Sequence, residues 1–387
     1  TLYWVAADWG SGKSAAVSRF SANLVATVSY GLYTGLRWLG LGLARQRVSL
    51  SDRATAELTG NPNGFIRALL KIAIGTAKDV QAQGSTRYLL EGFDLLTPLG
   101  HRHATPLGSL YPHTPIEAVV QWDWNHPLRF WLSLNSAHPP TGDRLQRLTG
   151  YARQLKLDTE LDIKPQPSSK RPLTGQQWRS LLLQGAPFFG LGLGLLVAFL
   201  LVGLGWLGMR FRVEAIAWMY VDNSLRWALP WIGFSLGTLV RINPFFRNLP
   251  NAPGTAQLPD LLQPVDRLPV TFTPVQLEGK LLDRPGLAGA LGQDLWLRTA
   301  TGLVRLHWVS RWGSIGNLFP QPNRPADLGS QTVTVTGWFR RGATPWIDVD
   351  TIRTTGNRFS RSHHPVWSTI LATIAALWGV AIIFQGR

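Results

Sequence analysis

The side chains whose type and spacing could do chemistry fall in the first 150 residues of the chain. Val48 and Asp52 lie four residues apart in Arg45-Gln46-Arg47-Val48-Ser49-Leu50-Ser51-Asp52, so on a helix they share one face, with Glu57 on another. His101 and His103 make an H-x-H pair, with Glu91, Asp94 and His113 nearby. On a strand the pair would put both rings on one face and could bind a metal; in a loop the same histidines would be solvated. His138-Pro139-Pro140 is followed by Arg144, whose guanidinium could meet a substrate carbonyl or carboxylate, or tie its loop to the helix expected from Asp143 to Leu155. Ala7 with Gly12-Lys13-Ser14 fits the loose form of a phosphate-binding loop. Such a loop must follow a core strand, whereas an apolar helix follows here, so a polar turn between two helices is the alternative.

These groups need elements to position them. Phe20 to Ala44 is apolar and aromatic with Arg37 as its only charge, which predicts a transmembrane helix over about 20–44 that continues into the Val48–Asp52 segment. Leu58-Thr59-Gly60-Asn61-Pro62 is a helix stop, and a second helix is expected from near Asn63 to about Lys78. Residues 84–115, rich in Gly, Pro, Thr and His, read as a long ordered loop. A linker follows at 161–180, carrying Pro165, Pro167 and Pro172.

Together, Asp52-Arg53-Ala54, Ala56-Glu57-Leu58-Thr59-Gly60, Arg67-Ala68-Leu69-Leu70-Lys71-Ile72 and His138-Pro139-Pro140 with Arg144 resemble the HtpX-like family of integral-membrane zinc metallopeptidases over about the first 150 residues. The resemblance implies one zinc ion, held by two histidines of an H-E-x-x-H motif and by the glutamate of E-x-x-x-D. It implies Asp52 as the residue that orients a ligand histidine, and Arg144 as a candidate substrate contact. The chain departs from the family at two points. No H-E-x-x-H occurs in it, and since Thr1 opens directly in an apolar run, that motif is expected upstream. The ligand glutamate is replaced by Val48, which has no lone pair; His101, His103 and Asp94 are the nearby groups that could stand in.

The whole chain of 387 residues is 45% hydrophobic and only 16% charged, which suits a mixed membrane and soluble protein. With no cysteine, disulfides and thiolate zinc sites are excluded. The net charge of +16 fits arginines facing anionic lipid headgroups, and nucleic acid is the less favoured source of such an excess. Leu181–Gly208 and Val366–Phe384 are uncharged and long enough to span a bilayer, and Leu225–Val240 is a weaker span. A transmembrane hairpin is therefore expected over 181–245, with Gly190, Gly192 and Gly194 allowing close helix contact.

Between 264 and 355, alternating runs at Val275–Leu281, Asp294–Arg298, Leu303–Val309, Thr332–Trp338 and Trp346–Ile352 predict a small, OB-like β-barrel. Arg305, Trp308, Arg311, Trp312, Trp338, Arg340 and Arg341 could form a nucleic-acid surface, or the tryptophans could fill the barrel and the arginines meet headgroups. The expected fold class is a mainly α membrane protein with a metallopeptidase-like helical domain over 1–160, and a small all-β barrel as a second domain.

Three functions follow from these readings. The first is a bacterial inner-membrane zinc endopeptidase acting on membrane or misfolded proteins, with its helical and barrel domains cytoplasmic. The second is an inactive relative serving as a membrane scaffold or adaptor. The third is a nucleotide- or nucleic-acid-binding membrane protein.

Overall fold

A computed structural model describes residues 16–86, 90, 92–111, 113–125, 133–161, 175–249, 256–262, 273–282, 294–311, 325–328, 331–342, 344–356 and 358–385. The Ala7–Ser14 loop, Glu91, Trp312 and most of the 161–180 linker lie outside them. The chain divides into two compact units, the first built from 1–171, 249–269 and 273–362, and the second from 172–248, 270–272 and 363–387. The helical part and the barrel, expected as separate domains, thus share one unit.

In the first unit, helix α1 (Ala16–Thr59) runs unbroken for 44 residues. Gly60 ends it in a left-handed conformation at φ 60°, as the stop signal predicts. Helix α2 (Pro62–Gln83) starts with Asn61 Oδ1 accepting the Gly64 N–H and ends at Gly84, φ 65°. Its apolar face, Ile66, Leu69, Ala73, Ala77 and Val80, is buried.

The expected loop over 84–115 instead contains helix α3 (His101–Leu110), in which nine of ten residues are buried despite Pro106. Proline removes one backbone bond, and packing replaces what propensity lacks. Gly108 lies so close to the backbone of Ala73 on α2 that any Cβ would collide with it. Helix α4 (Ile116–Asn125) and helix α5 (Thr141–Gln154) complete this layer, and Ile66, Leu69, Leu107, Val120, Leu145 and Leu148 form its core.

Short helix α9 (Leu258–Leu262) precedes the strands β1 (Thr273–Leu282), β2 (Asp294–Arg298), β3 (Leu303–His307), β4 (Thr332–Arg340), β5 (Trp346–Thr354) and β6 (Phe359–Arg361). The order β3-β2-β1-β4-β5 is closed by parallel pairing of β3 with β5, giving a five-stranded barrel with β6 added at the edge of β5. Each of the five expected runs is a strand. Val275, Leu277, Val304, Leu306, Val335 and Ile347 fill the interior, and Leu110 of α3 and Leu258 of α9 join the same cluster. Ser109 Oγ accepts the N–H of Leu303 at 2.8 Å, so the end of α3 is pinned to the start of β3.

The second unit holds α6 (Gly175–Phe211), α7 (Glu214–Val221), α8 (Ser224–Phe245) and α10 (Val366–Gln385). Among the described residues, two helices are long and apolar enough to cross a membrane, Trp178–Phe211 and Val366–Gln385. Neither α1, expected to span over about 20–44, nor α8, which carries Arg226, Arg241, Pro230 and Pro244, is one of them. A seam of small residues joins α6 to α8. A Cβ at Gly190 would strike the Gly233 carbonyl, one at Gly194 the Leu229 carbonyl, and one at Gly237 the Ala186 carbonyl. Gly192, expected to share that role, faces open space.

Candidate functional site

The resemblance places its chemistry at Val48 and Asp52, and both are buried on α1. Asp52 is held from the first turn of α5: Arg144 Nε donates to its Oδ2 and Nη2 to its Oδ1, each at 2.7 Å. The third arm of the guanidinium, Nη1, donates to the Pro98 carbonyl at 2.6 Å. This bidentate geometry is the strong form of the arginine–carboxylate pair. Arg144 is 2% exposed, so its fork ties α1, the 92–100 segment and α5 together. Of the two roles the sequence left open for it, this is the tethering one.

Around that brace lie His101, His103 and His138. His138 Nε2 donates to the Thr97 carbonyl at 2.9 Å, which leaves Nδ1 as the acceptor nitrogen. A Cβ at Gly100 would lie 2.7 Å from this Nδ1 and 3.1 Å from Asp94 Oδ1, so the backbone of Gly100 fits between the two. His101 Nδ1 meets Asp94 Oδ1 at 3.2 Å, and Arg37 of α1 reaches Asp94 Oδ2 at 3.4 Å. Arg37, the one charge in the apolar run of α1, is thus paired. Arg45 donates to the Ser133 carbonyl at 2.9 Å, and Arg47 to the Leu95 carbonyl.

Burial sets the protonation states here. Burial opposes the charge on Asp94, but the His101 hydrogen bond, with the fields of His101, His138 and Arg37, holds its carboxyl below the ordinary carboxylate range. His103 is pushed down to about 3, first by burial and then by His138. Burial also lowers His138, against the pull of the Thr97 carbonyl and Asp94.

Because α3 is a helix, His101 and His103 diverge rather than sharing a face as they would on a strand. His101 turns to Asp94, and neither ring nitrogen of His103 has a hydrogen-bond partner. No three of Asp94, His101, His103 and His138 bring ligand atoms within 4.8 Å of one another. With Val48 aliphatic and both oxygens of Asp52 taken by Arg144, the residues around Val48 and Asp52 do not assemble the donor set of a catalytic zinc. Sequence spacing could not have foretold the Asp94–His101 pair, because it depends on the turn over 93–97 and on the unexpected helix after it.

On the barrel, Trp308, Trp338, Arg340 and Arg341 are buried, as residues filling and clamping a small barrel would be. Arg340 Nε donates to Asp348 Oδ2 at 2.9 Å, and the same carboxylate accepts Trp346 Nε1 at 2.9 Å. Arg305 lies over the Trp346 ring at 5.6 Å, and Arg311 is exposed. Comparison with family models, curated proteins and solved structures finds no match to this chain.

Proposed function

We propose that the protein is a membrane-anchored scaffold that keeps the helical framework of an HtpX-like metallopeptidase without its zinc chemistry. The observation that carries this reading is the engagement of Asp52. Where the resemblance would have that carboxylate steady a ligand histidine, both its oxygens are bonded to Arg144, one turn from a buried valine at the ligand position. The face is used as a structural joint.

The anchors in this reading are α6 and α10, with α1 and α8 as supporting helices. Phe188, Leu193 and Phe199 on α6 are 67%, 61% and 63% exposed, and Ile374, Leu377 and Trp378 on α10 are 58%, 64% and 58% exposed. Apolar surface on that scale favours lipid over water. Lys170, Arg171 and Arg179 ahead of the α6 span, with Arg241 and Arg247 at and after the end of α8, then favour the cytoplasmic face of a bacterial inner membrane for the helical layer and the OB-like barrel. Burial of Trp308, Trp338, Arg340 and Arg341 withdraws them from a nucleic-acid surface.

The test is metal content and hydrolysis of unfolded casein by the full-length protein purified in detergent, beside cross-linking of membrane proteins to it in cells. The scaffold reading expects well under one zinc per chain, no cleavage and specific cross-links. Stoichiometric zinc with cleavage overturns it.

One observation favours the alternative, a zinc-dependent endopeptidase. His101 carries a buried carboxylate on Nδ1, the arrangement that orients metal-binding histidines. That reading requires zinc in the full-length protein that is lost on His101→Ala, and unchanged zinc content rejects His101 as a ligand.

A further inference from the structure

A cavity of about 30 Å³ lies in the first unit, where α3, α4 and the start of α5 meet the barrel. One buried water needs roughly 10–15 Å³ by the same measure, so the space suits a group about the size of a carboxylate. Its wall is apolar along Leu107 and Leu110, and polar at His103, Thr141, Asp123 and Arg341.

The polar part of this wall is under-satisfied. Thr141 Oγ1, Arg341 Nε and both ring nitrogens of His103 are buried without a hydrogen-bond partner, on residues 4%, 3% and 8% exposed. Native proteins pair nearly all such groups, so four unpartnered polar atoms on one cavity point to a guest. Arg341 is fixed in place: Nη2 donates to the Val119 carbonyl at 2.9 Å, and the guanidinium lies over the Trp122 ring at 4.8 Å. Asp123 lines the same wall, but its Oδ2 accepts the Gly142 N–H at 2.8 Å, so the positive end of α5 offsets part of its charge. The Asp123 charge acts on the Arg341 guanidinium, which is the cation of the cavity.

We propose that this cavity binds a single carboxylate group, with Arg341 Nε–H, the Thr141 hydroxyl and one ring N–H of His103 as its donors. The donors are charge-assisted and geometrically held, as recognition of a planar anion requires. The carboxylate could come from a small free acid or from the C-terminus of a peptide, and the site is independent of any zinc.

The test uses the full chain in detergent at fixed ionic strength, titrated with sodium acetate against sodium chloride while the unfolding midpoint and the heat of binding are followed. The expected result is a saturable rise in midpoint with acetate that chloride does not reproduce. Thr141→Val keeps the side-chain shape and should weaken acetate binding about tenfold, since a bond to a charged group is lost. Arg341→Met should abolish binding. A dipeptide with a free C-terminus that competes with acetate, while its amide does not, assigns the peptide source; competition by formate alone assigns a small acid. Acetate acting no differently from chloride, or Thr141→Val binding acetate as tightly as the parent, overturns the proposal and leaves a cavity that holds only water.

Discussion

Arg144 and Asp52, 92 residues apart in sequence, lie fork to carboxylate through two bonds of 2.7 Å, both buried within the first unit. Removing one member of such a buried pair strands the other charge, at a cost of about 3–5 kcal/mol. Arg144→Met and Asp52→Leu should each lower stability by that order in denaturant unfolding of the full chain. The double variant should recover most of the loss. Arg144→Lys keeps the charge but not the fork, and is expected to fall between parent and Arg144→Met.

Much of this framework is legible in the sequence where a local rule and the packing agree. The break at Gly60, the helices on either side of it and the five barrel strands follow from stop signals and alternation that the core then uses. Helix α3 was hidden because its cause is not local. His101–Leu110 contains a proline and a glycine, and what holds it is contact with Ala73 on α2 and with Leu303 on the barrel. That one missed helix also hid the site. Read as a strand, His101 and His103 seem to converge on a metal, but in the helix one turns to Asp94 and the other toward the barrel side. Strand β6, three residues long with one buried, is too short to leave a pattern.

Acid should loosen the first unit, and His103 should account for much of the effect. Its folded pKa lies near 3 against an ordinary value of 6.5, with His138, Asp94, His101 and Arg144 as the charged or titratable groups around it. The unfolded chain therefore binds a proton that the folded chain refuses. The resulting stability is complete above about pH 6.5 and is lost as pH falls toward 3, by roughly 1.4 kcal/mol per pH unit. His138 acts in the same direction, and Asp94, held low, adds its loss only below the ordinary carboxylate range. Denaturant midpoints should hold between pH 7.5 and about 6.5 and fall from there to pH 5 for the parent, with a slope shallower by about one proton for His103→Leu.

Ser109 couples the helical layer to the barrel, so its hydroxyl should matter more than its size. It accepts the Leu303 N–H at 2.8 Å and donates to the Pro106 carbonyl at 2.9 Å, and the residue is buried. Ser109→Ala leaves a backbone donor without a partner, at a cost of about 1–3 kcal/mol. Hydrogen exchange should report faster opening at the start of β3 while the Asp52–Arg144 region keeps its protection. Equal loosening in both places would mean that the unit opens as a whole.

The glycine seam of the second unit gives a prediction with its own control. Gly190 and Gly233 face one another so closely that a Cβ on either would strike the other's carbonyl, whereas Gly192, two residues along α6, has nothing within 4 Å. Helix pairs of this kind are held by close backbone approach, so bulk at the seam must force α6 and α8 apart. Gly190→Leu and Gly233→Leu should each destabilise the unit by about 1–3 kcal/mol or more, as overpacking does. Gly192→Leu should be close to neutral, and can stabilise α6 slightly by replacing a glycine within a helix. Resistance to unfolding in mixed micelles separates the three variants. Equal sensitivity at 190 and 192 would show that the two glycines act through helix propensity, and would remove the seam as the contact between α6 and α8.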